Sequence, residues 1–204
     1  MNAPTYIKPK NNGTKQLFQN PILEKLTRTH IAVPISLFVG IAAGLLYYGA
    51  AKTALSSWQL VALFLAGMFV FSFVEYTVHR RVFHMAADTP RKAKIQYTMH
   101  GVHHEYPKDK SRLAMPPLLS LSISALLSVL FYFIMGKYMF GFLPGFLLGY
   151  AAYLFVHYAV HAFPPPKNFL KVLWINHGIH HYKDHDKAFG VSSPLWDWVF
   201  RTLP

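Results

Sequence analysis

Four stretches of this chain, residues 31–51, 58–78, 117–135 and 138–163, each run for about 20 residues with almost no charge, the helix length that crosses a bilayer core of about 30 Å. In hydrocarbon every backbone polar group must be satisfied within the segment, so such stretches are committed to helix. The links at residues 52–57 and 136–137 are too short to return across a membrane. The sequence therefore predicts an all-α integral membrane fold of two transmembrane helical hairpins, four spans in all, with shallow re-entrant hairpins as the alternative for spans one and three, whose entries Pro34 and Pro117 interrupt. The polar segments between and after the hairpins then share one side with the N-terminus. Apolar residues make up 53% of the chain and charged residues 14%, against about a quarter charged in a soluble domain. A soluble helical bundle is the poorer reading.

The formal net charge of +12 would suit a nucleic-acid binder, but its placement argues otherwise. Lys52 and Lys137 sit in the tight links, while the other eighteen basic residues lie in residues 8–28, 80–112 and 167–201. This is the positive-inside pattern. It predicts a multi-pass protein of a bacterial inner membrane or endoplasmic reticulum, with both termini and the long polar segments cytosolic. Nucleic acid is not an expected partner. Residues 1–29 form an N-terminal cytosolic or interfacial segment; a long polar stretch precedes the first apolar run, unlike a secretory signal. Asn20 and Pro21 suit the cap and first position of a helix, and Ile22, Leu23 and Leu26 give it an apolar stripe fit for a membrane surface. Residues 30–204 then form one membrane domain with cap segments 79–115 and 164–204.

Each hairpin ends in histidines. Of twelve histidines, ten fall into four clusters: His79 and His84; His100, His103 and His104; His157 and His161; His177, His180 and His181. The chain has no cysteine, so a metal site here must use nitrogen and oxygen ligands. On a helix, residues four apart share a face, so His157 and His161 can serve one ion together. In each His-x-x-His-His run the outer two share a face and the middle one points about 100° away, towards a neighbouring ion. The spacing thus sorts the ligands into two sets. His79, His84, His100, His104 and His180 surround one metal, and His103, His157, His161, His177 and His181 the other. Ten buried imidazoles without partners would each cost on the order of a few kcal/mol, which favours the metal reading. Imidazole alone does not choose among Fe, Zn, Cu and Ni.

Glu75, one turn before His79, is expected to accept a ligand histidine N–H or to pair with Arg80 or Arg81. Asp184, Asp186 and Asp197 are further candidates for that supporting role, His185 reads as a surface residue, and His30 as interfacial. Phe83, Tyr106, Tyr153 and Tyr158 are candidates for the walls of a substrate path or for core packing. No separate catalytic triad is expected beside the metal centre.

The flanking text carries a resemblance. It comprises Leu23-Glu-Lys-Leu-Thr-Arg28, Glu75-Tyr-x-x-His-Arg-x-x-Phe-His84, Tyr97-Thr-Met-His-Gly-x-His-His104, Ser111-Arg-Leu-x-x-Pro-Pro117 and the ending His180-His-Tyr-Lys, Phe189-Gly-Val-Ser, Leu195-Trp-Asp. Together these resemble the fatty-acid hydroxylase and sterol desaturase superfamily, and within it the fatty-acid 2-hydroxylases. The resemblance implies a helical membrane enzyme with a cytosolic helical cap over a histidine-rich dimetal site, hydroxylating acyl chains with O2 and two external electrons, commonly beside the carboxyl carbon. It implies the ten clustered histidines as ligands, with iron expected for activity and zinc an occupant of isolated protein. The residues leave no room for an N-terminal cytochrome b5 domain, so electrons are expected from a separate protein of cytochrome b5 or ferredoxin type. Where the family often has Tyr-Asp, this chain has Tyr153-Leu154, which weakens a detailed transfer of substrate.

An aliphatic C–H bond offers neither an acidic proton nor an electrophilic carbon, so acid–base groups alone cannot attack it and a redox metal is required. Alternatives stay open: a sterol, carotenoid or other lipid oxygenase of the same superfamily, or, as a non-enzyme, a metal-binding membrane transporter. A hydrolytic zinc enzyme lacks its usual His-Glu-x-x-His run.

Overall fold

The computed structural model describes residues 7–204, and every regular element among them is helical. A short helix α1 (Pro21–Leu26) precedes the first hairpin, α2 (Ala32–Lys52) and α3 (Ser57–Val78). The cap follows with α4 (Pro90–Gln96) and α5 (Val102–Glu105), then the second hairpin, α6 (Pro117–Met135) and α7 (Met139–Ala162). Two further helices, α8 (Lys171–Tyr182) and α9 (Leu195–Val199), complete the cap. Among the described residues, three apolar helical segments are long enough to cross a membrane: Ala32–Lys52, Ser57–Phe83 and Lys110–Ala162, the last containing both α6 and α7.

Local chemistry places the boundaries. Asn20 caps α1, its side chain accepting from the N–H groups of Ile22 and Leu23, with Pro21 at the first helical position. Ser56 and Gln59 form a reciprocal capping box at the start of α3, satisfying donors that would otherwise be orphaned. Gly136, at φ +54°, turns the second hairpin, a conformation that favours residues without a Cβ.

Helix α7 is the centre of the bundle. It packs along α2 through Phe38, Ala42, Leu143 and Leu147, and along α3 through Phe71, Phe142 and Phe146. Gly141, Gly145 and Gly149 repeat every four residues on the face towards α3. A Cβ at Gly145 would sit 1.9 Å from the Phe64 carbonyl oxygen, and one at Gly67 would sit 2.0 Å from that of Phe142. The backbones therefore meet at glycine, as small residues permit between membrane helices.

Helix α6 stands apart. Phe131 contacts Phe142 and Phe146 near the hairpin turn, and α6 makes no extended contact with α2 or α3. Ser122, Ser124 and Ser128 turn their hydroxyls back onto the carbonyls of Leu118, Ser120 and Ser124, so the helix presents few unpaired polar groups to an apolar setting.

The N-terminal segment lies across the cap. Lys10 meets Glu105, Thr14 meets Asp109, and Asn11 accepts from the Tyr182 hydroxyl. In α1, Ile22, Leu23 and Leu26 are exposed.

Candidate metal centre

The ring nitrogens of the ten clustered histidines converge at the cap end of α3 and α7. Among the described residues they form two groups of five, each with its ligand atoms within 4.8 Å of one another: His79, His84, His100, His104 and His180; and His103, His157, His161, His177 and His181. These are the sets drawn from the spacing.

The backbone makes this grouping feasible in a way spacing alone did not show. His79 and His84 are five apart, which on an α-helix leaves them about 140° apart. Here α3 runs on into a π turn, His79–Phe83, whose wider winding closes with a bond from the His84 N–H to the His79 carbonyl. A second π turn, Tyr97–Gly101, leads into α5 and the His100, His103, His104 run. Single π turns inside helices often occur at functional sites. His157 and His161 lie on ordinary α-helix at the end of α7, and His177, His180 and His181 on α8.

Neighbouring Nε2 atoms face one another at 2.8–3.1 Å, as in His79 with His100, His84 with His180, His103 with His157, and His161 with His177. Three rings donate outward through Nδ1: His79 to the Phe189 carbonyl at 2.5 Å, His180 to Lys187 at 2.7 Å, and His157 to Leu113 at 3.1 Å. In a neutral ring that donation leaves a bare lone pair at Nε2, and those lone pairs point inward. Among the described residues, both nitrogens of buried His181 lack a hydrogen-bond partner. Burial first, then neighbouring histidines, pushes His100, His103, His104, His177 and His181 well below the usual imidazole value, and His84 down to about 2. A dense set of neutral inward lone pairs, some orphaned, fits cations bound in both groups.

Glu75 plays a different part from the one expected. It is buried, but its carboxylate accepts from the N–H groups of Val191 and Ser192 at 2.8 and 2.9 Å and from the Ser192 hydroxyl, rather than from a histidine or an arginine. Asp197 is fully buried and accepts from the N–H groups of Phe189 and Gly190. Asp184 accepts from the Asp186 N–H in a local turn. His185 is half-buried, its ring centroid 4.8 Å from that of His104, and belongs to neither group. Backbone carbonyl acceptors such as Phe189 and Lys187 were invisible to sequence reasoning, because every residue carries one. The Phe-Gly-Val-Ser run was the available signal. A Cβ at Gly190 would lie 2.2 Å from the Ser193 carbonyl oxygen.

An apolar cavity of about 510 Å³ runs from the histidines into the bundle between α3, α6 and α7. His79, His100, His103 and His157 stand at its head, Leu119, Ile123, Leu127 and Phe146 line its depth, and Leu17 and Phe18 close one flank. Phe83 and Tyr153 line it, with the Tyr153 ring stacked on His157 at 5.6 Å, whereas Tyr106 and Tyr158 do not.

Fold and site together define a helical, membrane-type protein in which paired histidine groups open on a hydrocarbon-sized cavity. The fatty acid hydroxylase family model matches residues 64–202. The chain is 35% identical over 199 residues to the ceramide very long chain fatty acid hydroxylase scs7 of Schizosaccharomyces pombe, an alignment covering 95% of this chain and 56% of that protein. It is 36% identical over 154 residues to the dihydroceramide fatty acyl 2-hydroxylase FAH1 of Arabidopsis thaliana, covering 72% and 62%. A solved structure described as full length scs7p, with only the hydroxylase domain visible, superposes with a TM-score of 0.84 at 30% identity, over 92% of this chain and 71% of that one. The chain belongs to the fatty acid hydroxylase family.

Proposed function

We propose that this chain is a membrane-bound, O2-dependent hydroxylase of fatty-acyl chains, acting at C2 and taking free or sphingolipid-type acyl groups. The observation that carries the reading is the placement of two five-histidine groups at the head of one apolar cavity. The relatives named as ceramide and dihydroceramide hydroxylases support the acyl substrate.

In this reading each histidine group holds one metal ion, iron in the active protein. When bound, the ions supply the redox chemistry by which dioxygen, two electrons and two protons convert C–H to C–OH with release of water. The protein's residues do the rest. Leu119, Ile123, Leu127 and Phe146 hold the acyl chain along the cavity, which fixes the carbon presented to the histidines. The same walls keep water from the reacting carbon. The outward Nδ1 donations of His79, His157 and His180 hold their Nε2 atoms inward, so the ligand set is assembled before a cation arrives.

The four long helices form four spans, with both termini and the cap segments 79–115 and 164–204 cytosolic, as the basic loops favour. Residues 1–29 form the N-terminal segment and 30–204 the membrane domain. Electrons come from a separate carrier of cytochrome b5 or ferredoxin type.

The test is expression with iron and a reductase system, followed by mass spectrometry of total acyl chains. A 2-hydroxyacyl product that disappears in His100→Ala and in His181→Ala supports the reading. Product that persists in either variant overturns it.

A further inference from the structure

The two histidine groups are supported unequally. Four successive backbone N–H groups, those of Phe189, Gly190, Val191 and Ser192, are gripped by two buried carboxylates: Asp197 takes the first two and Glu75 the second two. The same loop offers the Phe189 carbonyl to His79 and the Lys187 carbonyl to His180. Both of those histidines belong to the first group. The second group's outward bond, from His157, goes instead to Leu113 on another segment.

The connection runs through a single peptide unit. The Phe189 carbonyl and the Gly190 N–H share one amide; Asp197 Oδ2 accepts from that N–H at 2.7 Å while the carbonyl accepts from His79. Hydrogen bonds in series polarise one another, so the carboxylate strengthens the carbonyl as an acceptor and, through it, the imidazole as a ligand. This is a carboxylate–histidine pair with a peptide inserted between them. The Lys187 carbonyl is set by its neighbour Ala188, held at φ +56° with its N–H bonded to the Thr202 carbonyl at 2.8 Å. Thr202 is in turn fixed by Asp197, through its hydroxyl at 2.7 Å.

We infer that Asp197 and Glu75 are positioning residues that act through the backbone of residues 187–192 to set the metal affinity of the first histidine group and not that of the second. The inference rests on the two-metal reading above. Asp197→Asn keeps the volume but turns a donor towards an N–H group. Glu75→Gln keeps one oxygen for the two N–H groups and lets its amide donate to the Ser192 hydroxyl, so it serves as the conservative control. Glu75→Leu removes the acceptors altogether.

Full-length protein in detergent, stripped of metal, is titrated with cobalt(II), following bound metal per chain and the visible absorption of the bound ion. In Asp197→Asn and Glu75→Leu the first group weakens by about 10- to 100-fold, the usual cost of losing a supporting partner. The second binding step keeps its affinity and spectrum, and Glu75→Gln restores most of the first. Added to Asp197→Asn, His84→Ala removes little further metal, whereas His161→Ala removes most of what remains. Equal weakening of both steps, or loss of all metal, in Asp197→Asn and Glu75→Leu would show a merely structural role and overturn the inference, as would unchanged binding in both. Wild type that takes up no cobalt would sink the two-metal reading itself, a distinguishable failure.

Discussion

Arg112 pairs with Glu24 across 88 residues of sequence, and the same guanidinium reaches the Thr27 hydroxyl at 2.6 Å and the Lys15 carbonyl at 2.7 Å. The Arg112 side chain is only 3% exposed, so one buried cation ties the N-terminal segment to the strip that leads from the cap into α6. Alanine there removes the hydrogen bonds to Lys15 and Thr27 and one of the cations on Glu24, which keeps Arg28 and the Leu17 and Phe18 N–H groups. Arg112→Ala is therefore expected to destabilise the protein by about 1–3 kcal/mol, seen as a lower thermal midpoint in detergent. Lysine, which lacks the planar fork, is expected to restore little of it.

The acid response follows from the same carboxylate. Burial alone would raise Glu24, but the Leu17 N–H, Arg28, the Phe18 N–H and the Arg112 charge outweigh it and hold the carboxyl at about 2, against an ordinary 4.5. A depressed carboxyl contributes its full stability above the ordinary value and loses it as pH falls through the folded one. The stability gap between wild type and Glu24→Gln should be constant above pH 4.5 and shrink between 4.5 and 2. Thermal midpoints of the two proteins across that range check this; a gap that stays level throughout contradicts it.

Chelation should cost stability as well as activity. A ligand that binds only the folded state adds about 2.7 kcal/mol when present at a hundredfold its dissociation constant, and every histidine of the two groups except the partly exposed His84 is buried in the fold. Stripping metal should lower the thermal midpoint, and returning iron or zinc should restore it. Midpoints before and after dialysis against a chelator give the measurement.

Cavity depth should set chain length. Ser124 and Leu127 line the cavity one and two turns further from the histidines than Ser120. Ser124→Phe fills that space and should shift hydroxylated products to shorter acyl chains, while Leu127→Ala should admit longer ones. Product chain-length profiles by mass spectrometry are the check, with an unchanged profile in both counting against the cavity as the acyl site.

Close approach of α3 and α7 makes Gly145 intolerant of any side chain. Gly145→Ala places a methyl against the Phe64 carbonyl, and overpacking of this kind costs about 1–3 kcal/mol or more. Gly44→Ala, where a Cβ meets nothing within 4 Å among the described residues, should leave the midpoint unchanged or raised. Parallel melts of the two variants compare them.

Much of the architecture could be read from the residues because hydrocarbon leaves a chain few choices. Apolar run length predicted α2, α3, α6 and α7 nearly to the residue, and fourfold spacing accounts for the pairs His100 with His104, His157 with His161 and His177 with His181. The five-residue step from His79 to His84 did not explain itself, since the π turn that reconciles it is a backbone event without a residue signature. Proximity in sequence offers Glu75 a histidine or the arginines at 80 and 81 as partners, yet its oxygens turn to a loop more than a hundred positions away. The glycine stripe of α7 stands in the sequence at positions 141, 145 and 149, but its meaning depends on which helix lies opposite.

The parting of α6 from α3 bears on how this protein should be assayed. A hydrocarbon tail that slips sideways through that gap travels within the leaflet and never meets bulk water. Turnover would then follow the mole fraction of substrate in the surface, not millimoles per litre of buffer. Doubling the host lipid or detergent at fixed total substrate should slow the reaction by dilution in two dimensions.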